Sequence, residues 1–129
     1  MKEFMKNRRE NLLRVIKDLM NLHRRFLELE KIAAEKYFGR NFSPFEFLQV
    51  LTQDINFQWL SPLSVLIADL DAFSDEADEI SDEDTQRIRK QIDDALKLSR
   101  IQDRYQTHLS GDPDFAVLHA KFVRTLSEF

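Results

Sequence analysis

The sequence predicts an all-α protein, a compact four- or five-helix bundle that begins with a long N-terminal helix. Apolar residues recur at helical spacing in several long segments, and no segment shows the sustained alternation of a β-strand. The two glycines and three prolines all lie where these segments begin or end. A chain of 129 residues can bury one core, so we expect a single helical-bundle domain over residues 1–129.

Capping signals indicate where the helices begin. Ser43, Pro44 and Glu46 have the order of a capping box, and a serine or aspartate also precedes Pro62 and Pro113. Pro62 lacks an N–H group, so the first turn of the helix that contains it is expected to be separate. The predicted helices cover residues 3–38, 44–54, 57–74, 82–109 and 113–127.

The first predicted helix has the apolar pattern of a coiled-coil seam. Heptad positions a and d are occupied by Met5, Leu12, Val15, Leu19, Leu22, Phe26, Leu29 and Ala33. At about 36 residues this helix would be about 54 Å long, longer than its predicted neighbours. We therefore expect its N-terminal turns, with Phe4, Met5, Leu12 and Leu13, to overhang the bundle and to pair with a second copy in a homodimer. The alternative is that the helix breaks near Arg8 and its first turn is frayed.

The predicted helix over 82–109 has two apolar stripes instead of one. Ile88 and Ile92 belong to the first stripe, whereas Ile101 and Tyr105 belong to a second one that is rotated around the helix. This pattern predicts either a bend near Ser99 or a different packing neighbour for the second half.

Charge is unevenly distributed along the chain, whose formal net charge is −4. Residues 1–40 have eleven Lys and Arg against six Asp and Glu, whereas residues 41–86 have eleven acidic residues and no basic one. We expect this acidic segment to face the first helix. A calcium loop starting at Asp69 is excluded because Phe73 stands where an oxygen ligand is needed. Carboxylates interleave with the basic residues of the first helix, which argues against nucleic-acid binding.

No residue is assigned a catalytic, cofactor-binding or metal-binding role, and no cofactor is predicted. The chain has no cysteine, and no motif of a hydrolase, nucleotide-binding loop or metalloprotease is present. His23, His108 and His119 lack the helical spacing of metal ligands and are expected at the edge of the core. Their convergence in space stays open, because spacing cannot exclude it.

Phenylalanine is the most informative residue type for function, with eleven in the chain. The candidate partner-binding residues are Phe42, Phe45, Phe47, Phe57 and Trp59. A helix of about eleven residues can hardly bury aromatic side chains on every face, which predicts an apolar patch for a partner. The favoured interpretation is a non-enzymatic protein–protein interaction module that binds another protein or its own copy. The alternative is a small enzyme or ligand-binding bundle with a site between helices.

Two stretches of the chain resemble a known group of proteins. They read PFEFLQVLTQDINFQWLSPLSVLIADLD from residue 44 and RYQTHLSGDPDFAVLHAKFVR from residue 104, and together they cover under half of the chain. Both are similar to segments of small bacterial all-helical proteins for which no activity is established. The resemblance implies a bacterial cytoplasmic protein and no particular site residue. A cytoplasmic location without a membrane span also agrees with charges that interrupt every apolar run.

Overall fold

Every regular element of the described chain is helical. A computed structural model describes residues 2–129, and the side chains of residues 7–129. The elements in chain order are α1 (Lys2–Phe38), α2 (Pro44–Gln53), a 3₁₀ helix (Ile55–Leu60), α3 (Ser61–Glu76), α4 (Asp82–Leu96), α5 (Ser99–Gly111) and α6 (Pro113–Glu128). The all-α class is thus confirmed over this range. The predicted number of four or five helices is too low, because two of the predicted segments are each divided in the structure.

The helix predicted over residues 82–109 is wrong as a continuous element. The Lys97 N–H still donates to the Asp93 carbonyl at 3.1 Å, but the backbone of Leu98 is extended, with φ −57° and ψ 128°. Ile92 of α4 and Ile101 of α5 are both fully buried. The break turns both stripes toward the core, which one straight helix with rotated stripes could not achieve. It lies directly before the predicted bend.

Pro62 accounts for the other division. Residues 55–60 form the 3₁₀ helix, whose first turn is capped by the Asp54 carboxylate accepting from the Asn56 N–H at 2.9 Å. The α-helical part begins at Ser61, with Pro62 in its first turn, where the missing N–H costs no helical hydrogen bond. The predicted separate first turn is therefore confirmed.

The apolar stripe of α1 forms the centre of the bundle. Its five successive seam residues from Leu12 to Phe26 are almost completely buried, and α3 and α6 pack along it. Asn11 donates a hydrogen bond to the Glu128 carbonyl at 3.2 Å, and Arg25 contacts Asp112, so α6 runs antiparallel to α1. In the same way, α3 begins beside the middle of α1 and ends beside its N-terminal turns.

The predicted overhang of α1 is wrong for Leu12, which is fully buried. The reason is that α6 extends back along α1 as far as Asn11 and covers the stripe there. Leu13 faces away from the core and is about half exposed. Phe4 and Met5 lie outside the described side chains. The homodimer therefore stays a prediction.

Two arginines of α1 hold the connection between α3 and α4. Arg8 donates to the Ile80 carbonyl at 3.1 Å and to the Asp82 carboxylate at 3.2 Å. Arg9 donates to three carbonyl oxygens at the end of α3 and just beyond it, those of Ser74, Ala77 and Asp78. One of these bonds goes to a carboxylate, that of Asp82, and the others go to backbone oxygens. A wider facing of the acidic segment toward the first helix stays a prediction.

Capping boxes begin two of the helices. The Ser81 hydroxyl accepts from the Asp84 N–H, and the Asp84 carboxylate accepts from the Ser81 N–H, both at 3.0 Å. Ser43 and Glu46 make the same pair of bonds at the start of α2, which confirms the predicted box. Ser61, by contrast, lies at the start of α3 but makes no side-chain cap bond.

We expect Ser81→Ala to lower the free energy of unfolding by about 0.5–2 kcal/mol, because the Asp84 N–H loses its acceptor. Urea denaturation followed by circular dichroism measures this change. The matched control is Ser61→Ala, which removes a helix-start serine that caps nothing and should change stability little. Equal effects of the two substitutions would contradict the prediction.

Candidate functional site

The five predicted partner-binding residues lie around α2 and the 3₁₀ helix, beside the C-terminal end of α1. Phe42 and Phe47 are buried in a small hydrophobic cluster of their own. Phe57 and Trp59 are partly buried and pack against the main core. Phe45 alone of the five is mostly exposed, at 66 %. Partner binding by these residues stays a prediction, and Phe45 is the one that solvent and a partner can reach most fully.

An apolar groove lies beside α2, and we call it the α2 groove. Its walls come from α1, α2 and the junction of the 3₁₀ helix with α3, and they include Leu27, Leu48, Leu51, Leu60 and Pro62. The groove encloses about 690 Å³, and its lining residues have no charged side chain. Leu48 is 55 % exposed at its edge and lies one turn from Phe45, so the two share one face of α2.

A second cavity lies on the other side of the 3₁₀ helix, and we call it the basic cleft. It has a volume of about 460 Å³ between the C-terminal end of α1, the 3₁₀ helix and α5. The lining side chains that matter for its chemistry are Glu30, Tyr37, Phe57, Trp59, Arg100 and Arg104. Polar and aromatic groups therefore meet at one place between three helices.

A buried ion pair forms one wall of the basic cleft. The Glu30 carboxylate is buried and accepts from Arg104, whose Nε and Nη2 lie 3.0 and 2.9 Å from Oε2. His108 contacts the same oxygen through Nε2. An ionised carboxylate only accepts hydrogen bonds, so the His108 ring donates to it through a proton on Nε2. Glu30 thus has the partners that a buried charge requires.

Arg100 and Trp59 form the opposite wall. The Arg100 guanidinium lies over the indole ring, 4.9 Å from its centroid, in cation–π geometry. No carboxylate of residues 7–129 lies within ion-pair distance of Arg100. The Trp59 Nε1 is the single buried side-chain nitrogen or oxygen in that range without a hydrogen-bond partner.

The Glu30 ion pair is not predicted from the sequence. Glu30 directly follows the seam residue Leu29 and so flanks the apolar seam of the first helix, but its partners lie 74 and 78 residues further along the chain. A carboxylate beside a buried stripe was a usable signal, because burial of that charge requires a basic partner. Nothing local in the sequence identifies which basic residue that is.

The three histidines have different partners. His23 of α1 contacts the Ser64 hydroxyl at 3.2 Å, His108 contacts Glu30, and His119 contacts the Tyr105 hydroxyl. Within the described part of the chain, no group of three His, Asp or Glu residues is arranged to hold a metal ion.

Burial lowers the pKa of two histidines, and a hydrogen bond from an arginine lowers the pKa of one aspartate. Burial lowers the pKa of His23 and of His119, because the charged ring loses hydration. The side-chain hydrogen bond from Arg25 lowers the pKa of Asp112, which also caps α6 by accepting from the Phe115 N–H at 2.9 Å. The Asp112 shift stabilises the folded state at neutral pH, whereas burial of the two histidines disfavours their charged forms and makes the folded state less stable at acid pH.

The chain was compared with models of protein families, with curated proteins and with solved structures, and no match was found in any of the three. The resemblance to small bacterial helical proteins stays a prediction. Among helices in residues 2–129, none combines the length and the apolar character needed to cross a bilayer.

We expect Glu30→Gln to lower the free energy of unfolding by about 1–3 kcal/mol, because Arg104 and His108 lose the charge they surround. The effect stays below that of a fully buried pair since the Arg104 side chain is 32 % exposed. Glu28→Gln is the matched control on the same helix, because Glu28 pairs with Arg25 in a largely exposed setting. If denaturant melts give the two variants the same free energy of unfolding, a structural role for the buried pair is refuted.

We expect stability to fall as the pH is lowered from about 7 to about 5. The folded pKa values of His23 and His119 lie below the unfolded value of 6.5, so the unfolded chain binds more protons in this range. This contribution is complete above the unfolded pKa and is lost as the pH falls through the folded pKa. The double variant His23→Gln/His119→Gln should show a shallower dependence in denaturant melts. An unchanged slope would contradict this assignment.

Proposed function

We propose that this chain is a non-enzymatic protein-interaction module whose α2 groove binds an amphipathic helix of a partner protein. The observation that supports this proposal is the exposed face of α2, where Phe45 and Leu48 stand beside a groove without charged walls. Large exposed apolar side chains next to one another are typical of a surface that another molecule covers.

The chemistry of the groove favours a helix as the bound element. Leu27, Leu51 and Leu60 provide an apolar surface between helices, and amphipathic helices bind such grooves through apolar residues spaced three or four apart. Gln58 and Ser64 also line it and supply hydrogen-bonding groups. Full burial of an exposed leucine or phenylalanine contributes about 1.5–3 kcal/mol, so covering the exposed halves of Phe45 and Leu48 would contribute part of a useful binding energy.

The partner is another protein or a second copy of this chain. The resemblance to small bacterial proteins leads us to expect that partner in the bacterial cytoplasm. A homodimer through the N-terminal helix would use a different surface, on which Leu13 and Met20 are exposed two turns apart. Sedimentation of the full chain separates the two arrangements, because only a dimer through the α2 groove would be dissociated by a change at Leu48.

The test compares Leu48→Glu with Val117→Glu. Both substitutions place a charge at an exposed apolar position, since Leu48 is 55 % and Val117 of α6 is 69 % exposed. A partner identified by cross-linking in cells is purified, and its affinity for the wild type and both variants is measured by calorimetry. We expect Leu48→Glu to weaken binding at least about tenfold, which corresponds to about 1.4 kcal/mol, and Val117→Glu to leave it unchanged.

The proposal is contradicted if the purified partner binds Leu48→Glu as tightly as the wild type. It is also contradicted if both variants weaken binding equally, because the effect would then be one of general surface charge. Circular dichroism of the variants ensures that the fold is retained.

A further inference from the structure

We propose that the basic cleft binds a small aromatic carboxylate, with the carboxylate at Arg100 and Arg104 and the ring against the aromatic wall. This site lies across the 3₁₀ helix from the α2 groove, and the inference does not rest on the proposed function. Its evidence is the charge balance, the lining and the size of the cleft.

The charge balance of the cleft calls for an anion. Arg100 and Arg104 lie one turn apart on α5, where like charges repel each other across the helix surface. Glu30 is the single carboxylate of the cleft lining, and it is engaged by Arg104 and His108. Arg104 uses Nε and Nη2 for this contact, whereas its Nη1 makes no hydrogen bond to residues 7–129. Nη1 of Arg104 and the guanidinium N–H groups of Arg100 are thus available to a ligand.

The position of Arg100 adds to this imbalance. It lies in the first turn of α5, where the helix dipole favours a negative group and disfavours a positive one. No acidic residue occurs in that turn, and no side chain caps it. The Arg100 guanidinium therefore stands at the positive end of a helix whose first turn has no negative side chain. A carboxylate bound at Arg100 would supply that negative charge.

The remaining walls favour a flat apolar body. Phe57 and Trp59 lie beside Tyr37 and Phe38 around the cleft, so a ring can pack against aromatic edges and faces. Trp59 also contributes its ring to this wall, with the Arg100 guanidinium 4.9 Å from the ring centroid. The volume of about 460 Å³ lies in the range of small-molecule sites.

Trp59 makes the inference directly testable because it is the one tryptophan in the chain. The full-length protein is titrated with phenylacetate, and the fluorescence of Trp59 is followed with calorimetry as a second readout. Phenylacetamide has the same ring without the charge, and acetate has the charge without the ring. We expect saturable binding of phenylacetate that is at least about tenfold tighter than that of either analogue.

Arg100→Gln should weaken phenylacetate binding at least about tenfold, because it removes the guanidinium without adding a charge. Arg124→Gln is the matched control, since Arg124 is exposed on α6 and lies outside the cleft lining. Leu48→Glu, which alters the α2 groove, should leave phenylacetate binding unchanged.

The inference is overturned if phenylacetamide binds as tightly as phenylacetate. It is also overturned if Arg100→Gln binds phenylacetate as tightly as the wild type does, or if phenylacetate shows no binding up to its solubility limit. Phenyl phosphate provides a further comparison. Tighter binding of phenyl phosphate than of phenylacetate would also overturn the assignment to a carboxylate, because it would identify a phosphate site. A failure of Leu48→Glu to release a protein partner would affect only the proposed function.

Discussion

The burial of one apolar stripe on α1 organises the whole chain. A helix of 37 residues that presents an uninterrupted row of buried leucine, valine and phenylalanine side chains needs more than one neighbour to cover it. α3 and α6 both run antiparallel to it, α4 packs against α3 and α5, and α5 packs against α6 and also contacts α1. The functional candidates lie where this covering ends, around α2 and the last turns of α1. There, large apolar side chains are exposed and two cavities lie between the helices.

Polar groups beside the stripe fix the register of the covering helices. Hydrophobic contacts alone tolerate sliding of one helix along another, whereas a buried carboxylate needs its partner at one position. Asp18 accepts from the Thr125 hydroxyl at 2.6 Å, which aligns the end of α6 with α1. Glu30 makes the corresponding contact with α5 through Arg104 and His108. The ion pair that forms a wall of the basic cleft is therefore also part of the framework that holds the cleft open.

Local chemistry in the sequence predicted the helix starts well, because caps and prolines act within a few residues of their position. Ser43 directly precedes α2, Pro113 is the first residue of α6, and Pro62 is the second residue of α3. The break after Leu96 has no glycine or proline, and only the rotated stripes indicated it. The covering of Leu12 and the partners of Glu30 depend on residues far along the chain. The apolar periodicity of one helix contains no information about residues far along the chain, so it could predict neither the covering of Leu12 nor the partners of Glu30.

The pairing of the first helix with the last one has a consequence for biosynthesis. α1 is synthesised well before α6, yet the Asn11 amide donates its hydrogen bond to the Glu128 carbonyl, 117 residues later. Domains begin to fold as they are synthesised, but here the apolar row of α1 is fully covered only after α6 has left the ribosome. The nascent chain therefore leaves part of this apolar row exposed after α3 has packed on it and until α6 is available.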